Sequence, residues 1–289
     1  MIEQYYHKVT NSFMLWFDNY LLDKGEAYSN YTGVSLQHYE DDRLDPSYQA
    51  YGSPYKQWVG DSSINGAIVP DSITVGNTPS GQYNPSISGR SGVAIDFDNG
   101  RVLMETSRKD LNITCDFSVK DFNLYFTNET EEDLIVENFY DINSRFPYPE
   151  KPVQPYDQVL PAVFFNTSMS KNEGFAFGGM EETTTKITAT VMSEDSYLLD
   201  GVLSIFTDSH NENITIADMS EHPFNEFNDL KTGHYSYKNV SNKDNKCNGL
   251  YVNDVVTSKL TDRARKSLSN DIFVGFIDFE LQQHRFRHQ

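Results

Sequence analysis

The stretch Gly92-Val-Ala-Ile-Asp-Phe-Asp-Asn-Gly-Arg-Val-Leu-Met-Glu105 constrains the fold of this 289-residue chain more than any other, because it reads as one complete β-hairpin. Asn99-Gly100 between two alternating apolar runs suits a two-residue turn with positive φ. Such a turn sets Asp98 opposite Arg101, Phe97 opposite Val102 and Ile95 opposite Met104, and leaves one face of the ribbon apolar. Nothing in it resembles a catalytic signature, so its job is to hold a sheet together.

Further strands follow from period-2 patterning. Leu111 to Phe117 alternates strictly and Phe122 to Phe126 repeats the period, so both are expected in the sheet of the hairpin. Val159–Phe165, Thr184–Met192 and Leu250–Val256 also read as strands, with short candidates at Ala67–Val69 and Ser72–Val75. Ile272 to Leu281 is apolar on both sides at its start and alternating at its end, as a central strand would be.

Helical spacing is confined to a few places. Phe13, Met14, Trp16, Phe17, Tyr20 and Leu21 mark an amphipathic helix over about Asn11–Leu22, which either caps the body or inserts into a partner. Thr130-Glu-Glu-Asp133 starts another in the manner of a capping box, with Ile135, Phe139 and Ile142 as its inner stripe. Asp195–Phe206 places Leu198, Val202 and Ile205 on one face with Leu199 and Phe206 near its edge, and a short basic helix is expected near Asp262–Leu268. Between Gly25 and Gly89 the pattern dissolves into Tyr, Ser, Asn, Gly and Pro, which predicts a long extended arm ordered by neighbours.

The expected fold is therefore mainly β (α+β): an antiparallel sheet or sandwich core with peripheral helices and a long loop or arm. Five prolines from Pro147 to Pro161 either separate two lobes, 1–150 and 151–289, or cross the surface of one unit.

Charge narrows the partners. With 23 Lys and Arg against 42 Asp and Glu the formal charge is -19, which repels phosphate backbones and anionic lipid, so neither nucleic acid nor a membrane is an expected partner. The basic end, with His284, Arg285, Arg287 and His288, is the exception, joined by Arg263, Arg265 and Lys266. It is either a solvated tail or a contact for an acidic neighbour, including a second copy. Cys115 and Cys247 match no metal spacing, and Cys115 falls on the apolar side of a strand, as a buried thiol would. Asn-x-Ser/Thr triplets occur, but the first residues lack a basic region followed by an apolar run, so no signal peptide is expected.

No catalytic, cofactor-binding or metal site is expected. The histidines show no paired ligand spacing, and no nucleophile elbow, phosphate loop or dinucleotide fingerprint is present. Asp96 and Asp98 could pair as acid and base, as sugar hydrolysis requires, but with Asp98 facing Arg101 in the turn and Asp96 on the polar side a solvated turn explains them more simply.

Three segments, Ser91–Val102, Val274–Leu281 and Gln283-His-Arg-Phe286, resemble parts of virion proteins of tailed bacteriophages, of the kind found among head-completion and neck components. The resemblance covers about a quarter of the chain and implies a structural, non-enzymatic role in a particle assembled in the host cytoplasm. It further implies a ring-forming neck or head-to-tail connector subunit, contacting other copies of itself and neighbouring portal, adaptor or tail-side proteins. A baseplate or capsid-decoration protein is the alternative, as is a carbohydrate-binding or carbohydrate-cleaving module using exposed Tyr, Trp16 or Trp58. The expected interface residues are Phe13, Trp16, Phe17, Arg285, Phe286 and Arg287.

Overall fold

The computed structural model describes residues 4–70, 73–75, 82–83, 93–105, 112–137, 140–142, 152, 157–168, 170–175, 179–217, 223, 234–241, 249–261 and 272–286. Two sheets organise them. The first contains β1 (Tyr28–Tyr39), β2 (Tyr48–Gly52), β3 (Ile73–Val75), β4 (Gln82–Tyr83), β5 (Val93–Asp96), β6 (Arg101–Glu105) and β7 (Ile113–Lys120), in the antiparallel order β4-β3-β7-β1-β2-β6-β5. The chain then turns at Asp121–Phe122 into β8 (Asn123–Phe126), the edge of the second sheet.

A two-residue parallel pair, β9 (Asp141–Ile142) and β10 (Val159–Leu160), precedes the rest of that sheet. It is completed by β11 (Ala162–Thr167), β12 (Lys171–Gly174), β13 (Met180–Ser193), β14 (Asn213–Thr215), β15 (Gly249–Lys259) and β16 (Phe273–Phe286). Their order is β14-β15-β16-β13-β11-β8, with β12 also on β13, and only β8 and β11 run parallel. Helices α1 (Tyr5–Gly25) and α2 (Ser196–Thr207) cover one face of it, and the single turn α3 (Tyr237–Ser241) lies near β14. The expected mainly β, α+β architecture is what these residues form, and the final strand β16 is central, between β13 and β15.

Aromatic side chains fill the larger core. Phe13 and Phe17 of α1 are fully buried against Phe165, Phe206 and Phe279, with Phe17 stacked on Phe206 at 3.9 Å between centroids. Offset and edge contacts of this kind add to the gain from area buried. The helix is thus no peripheral element. Its last residue is followed by Glu26 in the left-handed region, which stops it before β1. On α2, which Asp195 caps by accepting the Tyr197 N–H at 2.8 Å, the buried face runs through Leu199, Val202, Leu203 and Phe206, about one position round from the centre of the expected stripe, where the helix packs on the second sheet. The capping box at Thr130 forms as expected, Thr130 N–H to Asp133 Oδ2 and Asp133 N–H to Thr130 Oγ1, but the helical segment it opens ends at Glu137, with Leu134 and not Ile135 as the buried residue, while Ile142 lies in strand β9 and Phe139 lies outside the described residues.

Three expectations need correction. The first concerns the hairpin, which exists with the register Ile95↔Val102 and Asp96↔Arg101, two residues away from that of a two-residue turn. Phe97 to Gly100 form a four-residue loop in which only Gly100 has positive φ, at 59°. The loop wins because it lets Phe97 turn into the core and Asp96 reach Arg101. The second is that β7 and β8 belong to different sheets, since the chain crosses at Asp121–Phe122.

The third concerns Gly25–Gly89, whose first part is no arm. β1 pairs with β7 along Tyr28–Leu36 and with β2 along Gln37–Tyr39. A bulge between Tyr31 and Val34 breaks its alternation, and most of its side chains are exposed, so backbone pairing holds a strand whose residues carry little apolar signal. From Ser53 to Pro70 the chain is mostly irregular but still buried, with Trp58 stacked on Phe117 at 4.1 Å over the first sheet. Ala67–Val69 belongs to this run and is not a strand. The expected basic helix near Asp262–Leu268, with Arg263, Arg265 and Lys266, and Cys247 lie outside the described residues.

Candidate functional site

Charged and amide side chains concentrate where the hairpin loop meets the second sheet. Arg101, at the start of β6, is buried, and its guanidinium donates to Asp96 Oδ2 at 2.7 Å, Asp41 Oδ2 at 2.7 Å and Tyr39 Oη at 3.0 Å. Two carboxylates hold its charge so firmly that its pKa rises further, despite the opposing effect of burial. For Asp41 burial alone would favour the neutral acid, yet hydrogen bonds from Arg101 and Arg43 outweigh it and hold the carboxyl at about 2. Tyr39 is pushed up, chiefly by burial.

The other side of the loop faces Lys56 and Gln57, each 2% exposed. Lys56 Nζ donates to Asn99 Oδ1 at 3.1 Å, and burial lowers its pKa to about 8 against the opposing pull of Asp98, Asp96 and Asp157. Asn99 in turn gives its amide N–H and Nδ2 to Asp96.

Gln57 joins the two sheets through every polar atom it has. Its Nε2 donates to Asp98 Oδ1 at 2.8 Å in the hairpin loop and to the Leu124 carbonyl at 3.0 Å in β8, while Oε1 accepts the Leu124 N–H at 2.9 Å. The carboxamide thus pairs with β8 as a neighbouring strand would, on the outward side of an edge strand. The Gln57 N–H donates to Asn123 Oδ1 and its carbonyl accepts the Lys120 N–H.

A second buried cluster ties α1 to the same seam. Lys120 Nζ lies 2.8 Å from Asp18 Oδ2, which also accepts from Tyr235 Oη at 3.3 Å. Asp61, fully buried, accepts from Asn19 Nδ2, from the N–H and hydroxyl of Ser63 and from the Tyr237 N–H. Burial pushes the pKa of Tyr235 well up, reinforced by Asp18 and Asp61.

Asp96 and Asp98, the pair weighed for acid–base work, are therefore bonded to Arg101 within the hairpin and to the Gln57 amide that also reaches β8. Lys56, Gln57, Tyr39 and Asp41 escape sequence reasoning. Gln57 meets partners 41 and 67 positions away, a distance at which spacing carries no signal. Among the described residues no group of three or more His, Cys, Asp or Glu is placed to hold a metal ion. No described helix is long and apolar enough to cross a membrane, which says nothing of a β-barrel.

The expected interface residues separate into three groups. Phe13, Trp16 and Phe17 lie in the chain's own core, 0%, 4% and 0% exposed, so α1 caps the body and offers them to no partner. Arg285 is no solvated tail residue: it lies in β16, donates from Nε to Thr183 Oγ1 at 2.9 Å and holds its guanidinium 3.8 Å over the Tyr5 ring. Phe286 is 41% exposed, and Arg287 lies outside the described residues. No family model matches the chain, and no curated protein matches it either.

Proposed function

We propose that this chain is a structural subunit of a tailed-bacteriophage particle, a ring-forming component of the neck that joins head to tail. The resemblance of three segments to virion proteins motivates the reading. The observation that supports it most is the seam at Gln57: its buried carboxamide bonds Asp98 in the hairpin loop of the first sheet and Leu124 in β8 of the second, while Arg101, Asp96 and Asp41 brace the hairpin within the first sheet, so buried polar bonds hold the two sheets in one relative position. Fixed geometry between two sheets is what a load-transmitting subunit requires, since buried polar bonds specify an arrangement more than they stabilise it.

In this role the chain meets other copies of itself and portal, adaptor or tail-side neighbours through surfaces other than the buried trio of α1. The test is native mass spectrometry and negative-stain imaging of the purified chain, alone and with candidate neck proteins. Closed rings, or stoichiometric binding to a neck partner, are expected. A chain that binds none of them, and is missing from particles produced in infected cells, would refute the reading.

A further inference from the structure

We propose that the folded chain joins Lys56 to Asn99 by an intramolecular isopeptide bond, with the Asp96 carboxylate carrying the proton that the reaction moves. Two segments far apart in sequence bring the groups together. Lys56 lies in the buried run after β2, is 2% exposed, and donates from Nζ to Asn99 Oδ1 at 3.1 Å in the hairpin loop. A carbonyl bond is about 1.2 Å long, so Nζ stands at most about 4.3 Å from Asn99 Cγ, close to the separation of about 3–3.5 Å from which bonds form.

The far side of the same carboxamide rests on Asp96. Asn99 Nδ2 donates to Asp96 Oδ2 at 2.9 Å and the Asn99 N–H to Oδ1 at 3.1 Å, while Arg101 Nε holds Oδ2 at 2.7 Å and so fixes the direction of the carboxylate. An amine, an amide and a proton carrier thus form one chain of contacts, the set that transamidation requires. Burial also prepares the amine. It lowers the Lys56 pKa to about 8, with Arg101 acting in the same sense and Asp98, Asp96 and Asp157 opposing. A neutral, desolvated lysine is a nucleophile, whereas a solvated ammonium is not.

The lone pair of neutral Nζ forms a bond to Asn99 Cγ, and the carbonyl π pair moves onto Oδ1. Asp96 accepts a proton from the attacking nitrogen and passes it to Nδ2. The pair on Oδ1 then re-forms the carbonyl, the Cγ–Nδ2 bond breaks, and ammonia leaves. An amine and a primary amide become a secondary amide and ammonia, Asp96 ends as it began, and no oxidant or co-reactant is needed.

The bond ties residues 43 positions apart and fixes the run carrying Gln57 to the loop carrying Asp98. Closing such a loop restricts the unfolded chain as a disulfide does. The inference needs no partner and stands whether or not the chain is a particle subunit.

The test is mass spectrometry of the full chain, purified near pH 6, where the amine is charged, and then held folded at about pH 9, where it is largely neutral. The mass should fall by about 17 Da, the ammonia released. Trypsin should then yield Leu44–Arg90, uncut at Lys56, joined to Ser91–Arg101. Lys56→Met and Asn99→Ser should each keep the full mass, and Asp96→Asn, which leaves Arg101 its Asp41 partner, should link about a hundredfold more slowly. A urea melt begun from unlinked chain shows the titration of free Lys56, and linking abolishes it. Should Asp96→Asn fail to fold, the wild-type rate of joining decides: it should rise about tenfold per pH unit from about 6 towards 8 as the amine loses its proton, and a flat rate would overturn the proposal. Ring closure of the Gly100 nitrogen on Asn99 also removes about 17 Da, and deamidation adds about 1 Da, but neither joins two peptides. A chain of full mass, either of those products without the joined pair, or an Asp96→Asn variant that links as fast as the wild type would equally overturn it.

Discussion

Replacing Gln57 with leucine tests whether one side chain pins the two sheets together. Leucine keeps most of the volume and removes the carboxamide that pairs with Leu124 and Asp98. Leu124 is 2% exposed, so its N–H and C=O would each stay buried without that partner, at about 1–3 kcal/mol apiece. Asp98 loses one charge-assisted bond, roughly 1.5 kcal/mol, and the added apolar burial returns about 1 kcal/mol. The net loss is about 4 kcal/mol. At about 2 °C per kcal/mol for a chain of this size, the thermal midpoint falls by roughly 8 °C. Differential scanning calorimetry measures that shift, and amide exchange at Leu124 should quicken with it.

Gln57→Glu sharpens the test. It places a carboxylate against the Leu124 carbonyl and the Asp98 carboxylate, which raises the new group's folded pKa above its unfolded value. Its deficit should therefore shrink as pH falls from about 8 to 5, since the protonated acid can donate as Nε2 does. A Gln57→Leu midpoint within about 2 °C of wild type would show that the seam is held elsewhere, and would refute the reasoning.

Other consequences can be checked in the same assay. Gly100→Ala should cost about 2–5 kcal/mol, because its φ is 59° and a Cβ there would lie 2.0 Å from the Tyr55 carbonyl oxygen; Gly33→Ala, with φ 64° but open space around it, should cost only about 1 kcal/mol. Arg101→Met leaves Asp41 and Asp96 buried without their cation and should destabilise by about 3–5 kcal/mol near pH 7, less in strong acid, as the pH falls towards the Asp41 value of about 2. For Lys56 the folded pKa of about 8 lies below the unfolded 10.5, so the unfolded chain binds more protons between those values. Stability should rise from pH 8 towards 10 by up to about 2–3 kcal/mol, then fall as the unfolded state's tyrosines ionise; urea melts of the wild type and Lys56→Met should differ in that rise.

The sequence by itself determined the strands and helices whose side chains alternate or repeat strongly. β13, β15, β16, α1 and α2 were legible because each buries one face, and burial of a face is what writes a period into a sequence. β1 was not legible, since its backbone is paired while its Ser, Asn, Thr and Gln side chains are exposed, only Leu36 and Tyr39 are buried, and a bulge resets the alternation. The hairpin was found but not its register: the loop length depended on Phe97 reaching a core and Asp96 reaching Arg101, both properties of distant residues. The same holds for the candidate site. Asp96, Asp98 and Arg101 were visible in the hairpin, whereas Lys56, Gln57, Tyr39 and Asp41 took on meaning only when the irregular run after β2 was laid between two sheets. Tertiary structure also moved Phe13, Trp16 and Phe17 from surface to core and Arg285 from tail to strand. An amphipathic stripe reports that a face will be covered, and only the folded chain decides by what.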